Sequence, residues 1–487
     1  MLPLLTSEMT RFADHYTIAE LGIHEIILME HAALAVAESL KARFGRSLSI
    51  SRGMVIAGPG NNGKDATAAA RILSHWGVSL KIVQWGEPLL PSDLQACDWV
   101  IDGIFGTGLK RPVTGNALAW VQELNRVSSQ KWIVSIDVPS GLNADTGYPM
   151  GDAVIASETI VLGFYKKGLV TGDAANHTGT TKLATILIPR EIPGMIPTAY
   201  LLTETDAVSL PPRKPASHKG SFGHVYIWAA EPSKEGASCL ASLGALRSGT
   251  GLVTVIIPSK DLTALKARLT PEVMTLLWDR KTFSELSLSS AVVLGPGMGL
   301  QETSWQWIEQ ALASSLPLVL DADALTLLGQ HRDVARKLLQ ARRALTVLTP
   351  HPKEAARLLG KSVEAIQADR YQSHAELVKM FSCGVVLKGK GTIVGTADSP
   401  QIVVTQGDTA LAKGGTGDLL SGVLAGFLAQ GMAAPQAMAI ACYCHGRASE
   451  LLSQSVGQER SSLASEIAQM LPIVFKELQC LNTGSHR

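Results

Sequence analysis

The sequence predicts an α/β protein of two domains, each built on a mostly parallel, doubly wound sheet. Its 487 residues exceed what one ordinary hydrophobic core organises. Short apolar strands alternate with amphipathic helices in both halves, which is typical of crossover connections between parallel strands. A proline-rich stretch without sustained periodicity, residues 197–220, separates the halves and predicts the connection between the domains.

The elements of the first half begin with helix over the first 45 residues, where apolar residues recur three and four apart. A further helix is predicted over residues 65–76, with its apolar side chains on one face. The predicted strands of this half are residues 53–58, 79–85, 98–106, 131–138, 153–164 and 181–189.

The same alternation restarts after the proline-rich stretch. Its predicted strands are residues 223–229, 251–258, 290–297, 316–325, 344–352 and 383–391. No residue-level repeat links the halves, so we predict two different domains of one broad class.

Composition limits the classes of function. Hydrophobic residues make up 46% and charged residues 17% of the chain, as in well-buried globular proteins. The formal net charge of +1 argues against broad binding to nucleic acid or an anionic membrane surface. We expect neither a signal peptide nor a membrane span, because no apolar run is long enough for either.

The six cysteines are sparse and scattered, which fits a reducing cytoplasm better than a disulfide framework. Their only cluster runs from Cys442 to His445 inside a helical pattern. Because no second ligand pair exists, we predict buried helix residues there instead of a zinc site.

Three glycine-rich loops follow strands of the first half, at residues 58–65, 102–112 and 137–147. Ligands of such sheets lie beyond the carboxyl ends of the strands, so these loops predict a phosphate or sugar site. Asn62, Asp102 and Ser140 offer oxygen ligands for a hard cation; local turn formation is the alternative. Asp137 is the best candidate for proton transfer, although it could instead cap the turn before Pro139.

In the second half, the stretch "KGGTGDLLSG" at residues 413–422 places glycines before a helix, where free N–H groups attract a phosphate. Asp418 would then be a base that takes a proton from the attacking hydroxyl; an N-cap or first-turn acid of the helix is the alternative. "KGKGT", residues 388–392, predicts a cradle for nucleotide phosphates. His351 could bind substrate or be structural. Asp321 and Asp323 could help hold magnesium, or could cap the following helix.

These motifs together resemble those of the bifunctional NAD(P)H-hydrate repair enzymes, in which an epimerase domain is fused to an ADP-dependent dehydratase domain. "NNGKDA", "DGIFGTGL" and "DVPSGLNADTG" are similar to the epimerase loops. "HKGSFGHV", "RSGTGLV", "GPGMG", "DADAL", "TPHPKEAARLLG", "KGKGT" and "GGTGDLLSG" are similar to the dehydratase loops, in the family's order.

The resemblance covers nearly the whole chain. It implies a Rossmann-like three-layer sandwich at residues 1–205 and a ribokinase-like α/β domain at residues 216–482. It also implies repair of the R and S hydrates of NADH and NADPH, with ADP as phosphoryl donor (ATP being an alternative), AMP and phosphate as products, K⁺ in the epimerase domain and Mg²⁺ in the dehydratase domain. We further expect a homo-oligomer.

The resemblance also implies site residues. Asp137 and Asp418 would be catalytic, and Asn62, Asp102 and Ser140 would bind potassium. The epimerase substrate would contact Asn61, Asn62, Gly63, Lys64, Asp65, Gly106, Thr107, Gly108, Leu109, Lys110, Arg111, Pro112 and Asp137. The dehydratase substrate would contact Thr250, Gly299, His351 and Asp418. The nucleotide would contact Lys388, Gly389, Lys390, Gly391, Thr392 and Gly417.

The chain departs from the family pattern in the first of these loops. Lys64 and Ala66 stand where the family usually has glycine, and "MEHAA" near the start of the chain replaces a usual "MENAG". Lys64 could pair with a substrate phosphate or crowd the loop.

Two other functions remain open at this point. The glycine-rich motif before Asp418 also fits a ribokinase-like vitamin kinase, although the first domain and "TPHPKE" weigh against it. A nucleotide-sensing protein without turnover is the other alternative, but binding alone requires neither Asp137 nor Asp418.

Overall fold

A computed structural model describes residues 1–207, 210–228, 231, 233–257, 263–278, 283, 286 and 290–484. The chain divides into two compact units, one of Leu2–Ala199 and one of Tyr200–Arg487 with Met1. The division falls inside the proline-rich stretch. The domain boundaries predicted from sequence, 1–205 and 216–482, stay a prediction.

The N-terminal unit alternates strands and helices. Its strands β1 to β8 are, in chain order, Leu2–Leu5, Arg52–Ala57, Ser79–Gln84, Trp99–Gly103, Trp132–Ile136, Glu158–Leu162, Tyr165–Lys166 and Thr180–Ala184. Its α-helices are Ser7–His15, Glu25–Phe44, Asn61–His75, Pro91–Ala96 and Gly115–Val127. Shorter helical turns are Tyr16–Glu20, Gly45–Ile50, Lys167–Val170 and Gly172–Asn176.

Six of these strands form one parallel sheet in the order β3-β2-β4-β5-β6-β8, and β1 pairs with β7 in parallel. Side chains of β2 alternate between the two faces of the sheet. Val55 packs with the helices Glu25–Phe44 and Asn61–His75, whereas Met54 and Ile56 pack with the helix Gly115–Val127. The sheet is therefore the middle of three layers, as predicted. The strand order reverses between β2 and β4, and ligands of such sheets bind at this point.

The C-terminal unit repeats this plan with a longer sheet. After the connecting strand β9, Ala199–Leu201, strands β10 to β18 are His224–Trp228, Leu252–Ile257, Met274–Leu277, Ser290–Leu294, Leu318–Leu320, Thr346–Leu348, Gly384–Leu387, Thr392–Gly395 and Gln401–Val404. The described α-helices are Glu235–Arg247, Thr263–Arg268, Glu302–Ala313, Ala322–Gln330, Arg332–Ala341, Pro352–Leu359, Val363–Ala368, Arg370–Phe381, Thr416–Ala429, Ala434–Val456 and Ala464–Gly484. Shorter turns are Glu204–Asp206, Lys219–Phe222 and Thr409–Leu411.

The order of this sheet is β12-β11-β10-β13-β14-β15-β16-β17-β18. It is parallel from β12 to β16 and antiparallel from there to β18. Val225 and Ile227 face a core shared with the helix Thr416–Ala429, while Tyr226 faces the opposite core. Buried parallel strands require this covering on both faces.

Most predicted strands are confirmed to within a few residues, but two helix predictions are inaccurate and several strands, β12 among them, were not predicted. The first 45 residues contain the short strand β1 besides helix, and the helix predicted over 65–76 begins at Asn61. The antiparallel strands β17 and β18 were not predicted. Ala229 and Pro258, the last residues of two predicted strands, lie outside the described residues.

The cysteine cluster behaves as predicted. Cys442, Cys444 and His445 are buried within the helix Ala434–Val456. The described residues contain no group of three or more His, Cys, Asp or Glu side chains placed to hold a metal ion. No described helix is both long enough and apolar enough to cross a membrane.

Candidate active sites

A cavity of about 650 Å³ opens in the N-terminal unit, where the loops after β2 and β4 meet. Most of the predicted substrate residues line it, namely Asn61, Asn62, Lys64, Asp65, Gly106, Thr107, Gly108, Leu109, Lys110, Arg111 and Asp137. Gly63 and Pro112 do not. A Cβ on Gly63 would lie 1.9 Å from the carbonyl oxygen of Gly58, so Gly63 lets the helix start against the end of β2.

Asp137 follows β5 and lines this cavity. Its φ of 65° is rare for a residue with a side chain, and such backbone strain concentrates at functional sites. Its Oδ1 accepts a hydrogen bond from Leu162 N at 3.0 Å and ion-pairs with Lys166. The carboxylate therefore does not cap the turn before Pro139, which was the alternative from sequence.

Lys166 is a site residue that sequence reasoning missed. It is fully buried, lines the same cavity and donates from Nζ to the carbonyl oxygen of Leu162 at 2.8 Å as well as to Asp137. A buried lysine needs a negative partner, and Asp137 provides it. The available signal was the lysine pair directly after the apolar run of β6.

Three further carboxyl groups line the cavity, those of Asp14, Glu25 and Asp65. Burial raises the pKa of Asp65 to about 8, and the nearby charges of Asp137 and Asp14 add to this effect. Burial also raises the pKa of Asp14 to about 6, although the ammonium group of Lys166 opposes the rise. Asp14 was not predicted, because it lies on a helix whose sequence gives no motif.

The three predicted potassium ligands lie in one hydrogen-bonded cluster around Phe105. Asn62 Nδ2 donates to the Phe105 carbonyl at 3.0 Å, and Ser140 Oγ accepts from Phe105 N at 2.8 Å. Asp102 is fully buried and accepts only from neutral groups, Ser135 Oγ, Ser140 and Ile104 N, among the described residues. Burial raises its pKa. A buried carboxylate without a cationic side chain beside it fits a bound monovalent cation.

The two departures from the family pattern in the loop after β2, Lys64 and Ala66, lie in different surroundings. Lys64 is exposed and lines the cavity, where its charge reaches Asp65. Ala66 is buried and does not line the cavity. It packs against Gly103, where an added Cβ would lie only 2.4 Å from the Cβ of Ala66. Of these two residues, only Lys64 is therefore placed to contact a ligand in the cavity.

In the C-terminal unit, the glycine-rich stretch becomes the start of the helix Thr416–Ala429. Its N-cap residue is Gly415, whose φ of 94° favours glycine. Asp418 lies in the first helical turn and, among the described residues, its carboxyl group has no hydrogen bond. Asp418 is therefore not the N-cap residue, but it is an acid of the first helical turn, as the other part of that alternative has it. Burial raises its pKa to about 7, the charge of Asp321 contributes, and Lys388 opposes the rise.

An ion pair lies beside this helix terminus. Lys388 Nζ donates to Asp321 Oδ1 at 2.7 Å, and Ser421 Oγ donates to Asp321 Oδ2 at 2.7 Å. Glu354 Oε2 lies 4.0 Å from the same ammonium group. Burial disfavours the charged form of Lys388, but the carboxylates of Asp321 and Glu354 outweigh it and raise its pKa. Asp321 gives no side-chain cap to its helix, so that alternative is wrong.

Asp323 lies at the carboxyl end of β14 and meets the loop after β13. Its Oδ2 accepts from Gly299 N at 2.9 Å and from Lys234 Nζ at 3.1 Å. Gly299 has a φ of 83°, so the conformation of this turn favours glycine. Since Asp321 and Asp323 both have protein partners, a Mg²⁺ here would rely mainly on oxygens from nucleotide phosphates and water.

His351 follows β15 and caps the helix Pro352–Leu359. Its Nδ1 accepts from Lys353 N at 3.1 Å and Glu354 N at 3.3 Å, while Glu354 Oε2 accepts from His351 N at 2.8 Å. Nε2 lies 3.4 Å from Glu354 Oε1. His351 therefore has a structural role, and of its two ring nitrogens only Nε2 can contact a ligand. Burial lowers its pKa, and Lys388 adds to this effect.

The predicted nucleotide loop, Lys388 to Thr392, joins β16 to β17. Arg370 is buried beneath it and donates to the carbonyl oxygens of Leu387 and Lys388. Thr392 Oγ1 donates to the carbonyl oxygen of Gly389 at 2.9 Å. Lys390 Nζ donates to the carbonyl oxygens of Thr405 and Gly407, so this lysine is held by the protein's own backbone.

The glycines around Lys388 are required for two different reasons. Gly389 has a φ of 140° and Gly391 a φ of 64°, so both favour the absence of a side chain. Gly417 instead abuts the ion pair, because a Cβ there would lie 3.3 Å from Lys388 Nζ. The loop and the helix terminus thus meet at Lys388.

Thr250 is the one predicted substrate residue that the structure does not bring to Asp418. It precedes β11 instead of following a strand, and it packs against Gly426, where a Cβ would lie 2.6 Å from its Oγ1. Gly426 is about two turns, or ~12 Å, further along the helix than Asp418. The assignment of Thr250 stays a prediction.

Both units match known protein families. Residues 229–472 match the family described as NAD(P)H-hydrate dehydratase, and residues 25–96 and 86–168 match the one described as YjeF-related protein N-terminus. The bifunctional NAD(P)H-hydrate repair enzyme of Moorella thermoacetica is 31% identical over 515 residues, covering 96% of this chain and 95% of that protein. Its Vibrio cholerae counterpart is 33% identical over 491 residues, covering 95% and 96%.

Solved structures match the C-terminal part of the chain. An ADP/ATP-dependent NAD(P)H-hydrate dehydratase from Bacillus subtilis, co-crystallised with ATP and Mg²⁺, gives a TM-score of 0.51 at 31% identity, covering 57% of this chain and 97% of that one. A ribokinase-like superfamily protein from Enterococcus faecalis gives 0.50 at 27% identity, covering 59% and 99%. The ribokinase-like fold predicted for the second domain is confirmed.

Proposed function

The chain belongs to the family of bifunctional NAD(P)H-hydrate repair enzymes, and we propose on that basis that each of its two sites performs one step of the repair. The N-terminal site interconverts the R and S hydrates of NADH and NADPH. The C-terminal site dehydrates the S hydrate with a nucleotide as phosphoryl donor. The site residues predicted from sequence, and the domain boundaries at 1–205 and 216–482, are part of this proposal.

In the epimerase site, the cavity receives the hydrated nicotinamide ring, and Asp137 carries out the proton transfer that accompanies inversion at C6. The ion pair with Lys166 supports this role, because it holds the carboxylate at the cavity wall. The exposed cations Lys64, Lys110 and Arg111 line the cavity, where they suit the phosphate groups of a dinucleotide.

In the dehydratase site, Asp418 takes the proton of the C6 hydroxyl while that oxygen attacks the terminal phosphoryl group of the donor. With ADP as donor, AMP leaves. Phosphate then departs from C6 with the bonding electrons, C5 loses a proton, and the double bond of the dihydronicotinamide returns. The N–H groups at the start of the helix Thr416–Ala429 hold the transferred phosphoryl group.

Two cations belong to the proposal. Asn62, Asp102 and Ser140 would hold K⁺, whose charge would compensate the buried carboxylate of Asp102 and fix the loop that carries Phe105. Mg²⁺ would reach the dehydratase site with the nucleotide phosphates and would neutralise charge that develops on them. In this site the protein's own contribution is to orient Asp418 beside Lys388 and Asp321.

The remaining expectations concern the setting of the enzyme. We propose a cytoplasmic homo-oligomer whose substrates are small molecules. The sparse cysteines and the balanced charge of +1 support this setting.

The observation that carries the proposal is the carboxyl group of Asp418, which has no hydrogen bond or ion pair among the described residues, at a glycine-capped helix terminus beside the ion pair of Lys388 and Asp321. Binding alone requires no base there. The test is to incubate the protein with hydrated NADH and either ADP or ATP and to follow absorbance at 340 nm. We expect the absorbance of NADH to return. Nucleotide consumption without that return would indicate a kinase, and binding without either would indicate a sensor.

A further inference from the structure

Asp65 differs from the other acids around the N-terminal cavity. It lies in the first turn of the helix Asn61–His75, where the helix dipole favours a negative charge. Nevertheless its carboxyl group, within the part of the chain that the structure describes, has neither a hydrogen bond nor an ion pair. Burial and the charges of Asp137 and Asp14 outweigh the helix terminus and raise its pKa to about 8. Asp65 is therefore neutral at pH 7 and can donate a proton.

Asp137 lies in the opposite situation on the same cavity. Its carboxylate accepts hydrogen bonds on Oδ1 from Lys166 and Leu162, whereas Oδ2 accepts none from the described residues. The cavity thus holds one carboxyl group that carries a proton and one carboxylate with a free oxygen. Pairs of acids whose environments differ in this way serve as acid and base in catalysis.

The chemistry of the substrate requires such a pair. The hydrate carries a hydroxyl on C6, next to the ring nitrogen N1, so inversion at C6 must break and re-form one bond to that carbon. Hydroxide is a poor leaving group, and protonation by a neutral acid converts it to water. The carbon then becomes planar and positively charged, and a carboxylate beside it stabilises that charge.

We propose that Asp65 is the general acid of epimerisation, acting together with Asp137 in the cavity that both residues line. The inference deepens the proposed function and rests on it. Asp65 is thereby a catalytic residue, beyond the substrate contact that its motif implies.

The step balances as follows. Asp65 gives its proton to the C6 hydroxyl, the C6–O bond breaks, and its electron pair leaves with water while the N1 lone pair forms an N1–C6 double bond. Water then adds to the other face of C6, the electrons return to N1, and Asp137 takes the proton that the water loses. One proton has moved from Asp65 to Asp137, and exchange with solvent resets the pair.

Other charged groups around the cavity could also titrate, so the test must separate them. Asp14 and Glu25 raise the pKa of Asp65, and Lys64 lowers it. Lys166 lies at Asp137, while Arg11, Lys110 and Arg111 line the cavity from other elements. Asp14 is the main rival, since it is the other carboxyl group there with a raised pKa.

The experiment uses the full-length protein without ADP and measures conversion of isolated R hydrate to S hydrate by chromatography. We expect Asp65→Asn, which has the shape of the neutral acid, to lower kcat ~100-fold or more. KM should change by less than about threefold, because uniform binding is kept. Asp14→Asn tests the rival acid, while Glu8→Gln, which removes an exposed carboxylate on the same helix outside the cavity, is the control and should keep the wild-type rate. The wild-type rate should fall as the pH rises through about 8, when Asp65 loses its proton.

The outcomes separate the inference from the proposed function. A wild-type protein that epimerises no faster than buffer contradicts the proposed function. A wild-type rate that Asp65→Asn leaves unchanged, or changes only through KM, overturns the role of Asp65. Loss of the rate in Asp14→Asn with Asp65→Asn still active would move the role to Asp14. The fall above about pH 8 must also disappear from any residual activity of Asp65→Asn. Circular dichroism and thermal unfolding of the same variant check that its N-terminal unit is folded, since dehydration in the C-terminal unit would not show this.

Discussion

Nζ of Lys388 lies 2.7 Å from Oδ1 of Asp321, across the carboxyl ends of β14, β15 and β16. The second oxygen of Asp321 accepts from Ser421, which stands one turn after Asp418 on the same helix. The ion pair, the proposed base and the helix terminus therefore form one connected unit. Because both charges are buried, removing either partner would leave the other uncompensated.

Asp418→Asn should abolish dehydration and leave nucleotide binding nearly intact. The amide keeps the shape but accepts no proton, so we expect the rate with S hydrate and ADP to fall at least ~100-fold. Absorbance at 340 nm gives the rate, and titration calorimetry with ADP gives the affinity. Asp398→Asn removes an exposed carboxylate from the turn between β17 and β18 and is the control. Dehydration at near wild-type rate would remove Asp418 from the mechanism.

The pH profile of dehydration should reflect the ionisation of Asp418. Because its pKa is raised to about 7, the base is protonated below that pH, and kcat/KM should fall about tenfold per pH unit there and level off above it. Burial raises the pKa of Glu354 to about 7 as well, with Lys388 opposing the rise. Glu354→Gln therefore serves as the control and should keep the acid limb of the profile. If Glu354→Gln lost the acid limb, that limb would reflect Glu354, and its assignment to Asp418 would be wrong.

Lys64→Gly should weaken binding of hydrated NADPH to the epimerase site without changing kcat. The exposed ammonium group lines the cavity and can attract a substrate phosphate, a contribution of about 1 kcal/mol for such groups. We therefore expect KM to rise roughly fivefold at low salt and less at high salt. Steady-state epimerisation at two ionic strengths measures this. A lower KM, or a higher kcat, would show that Lys64 crowds the cavity instead.

Cutting the chain between Ala199 and Tyr200, where the two units divide, should yield two folded pieces, because each unit has its own hydrophobic clusters on both faces of its sheet. The C-terminal piece should consume S hydrate with ADP and leave R hydrate to its slow spontaneous epimerisation. The N-terminal piece should equilibrate the epimers and form no NADH. Circular dichroism and the two assays on each piece provide the test. A folded C-terminal piece without activity would contradict the assignment of all dehydratase residues to one unit.

The strands were predictable from sequence where they are buried on both faces, since such strands are continuous apolar runs. Strand β12 was missed because its four residues are exposed and give no clear period. Strands β17 and β18 were missed because their hairpin follows directly on a glycine-rich loop. The helices that begin at Asn61 and Thr416 were predicted to begin later, because glycine in a first turn is more typical of a loop.

The rule that ligands lie beyond strand ends brought Asp137, Lys388 and Asp418 into the predicted sites. The rule does not apply to Thr250, which directly precedes the predicted strand 251–258; its assignment came from the resemblance and stays a prediction. Lys166 and Asp14 were missed for another reason: their chemistry depends on burial, and a lysine or an aspartate without a motif resembles a surface residue.

The most direct test of the account supplies isolated R hydrate of NADH, with ADP, to the full-length protein and follows absorbance at 340 nm. Wild-type protein should convert all of it to NADH, since Asp137 feeds the site of Asp418 through free S hydrate. Asp137→Ala should slow this conversion to the rate of spontaneous epimerisation, while its dehydration of isolated S hydrate stays at the wild-type rate. Unchanged conversion of R hydrate by Asp137→Ala, or poor dehydration of S hydrate by that variant, would contradict the division of the reaction between two independent sites.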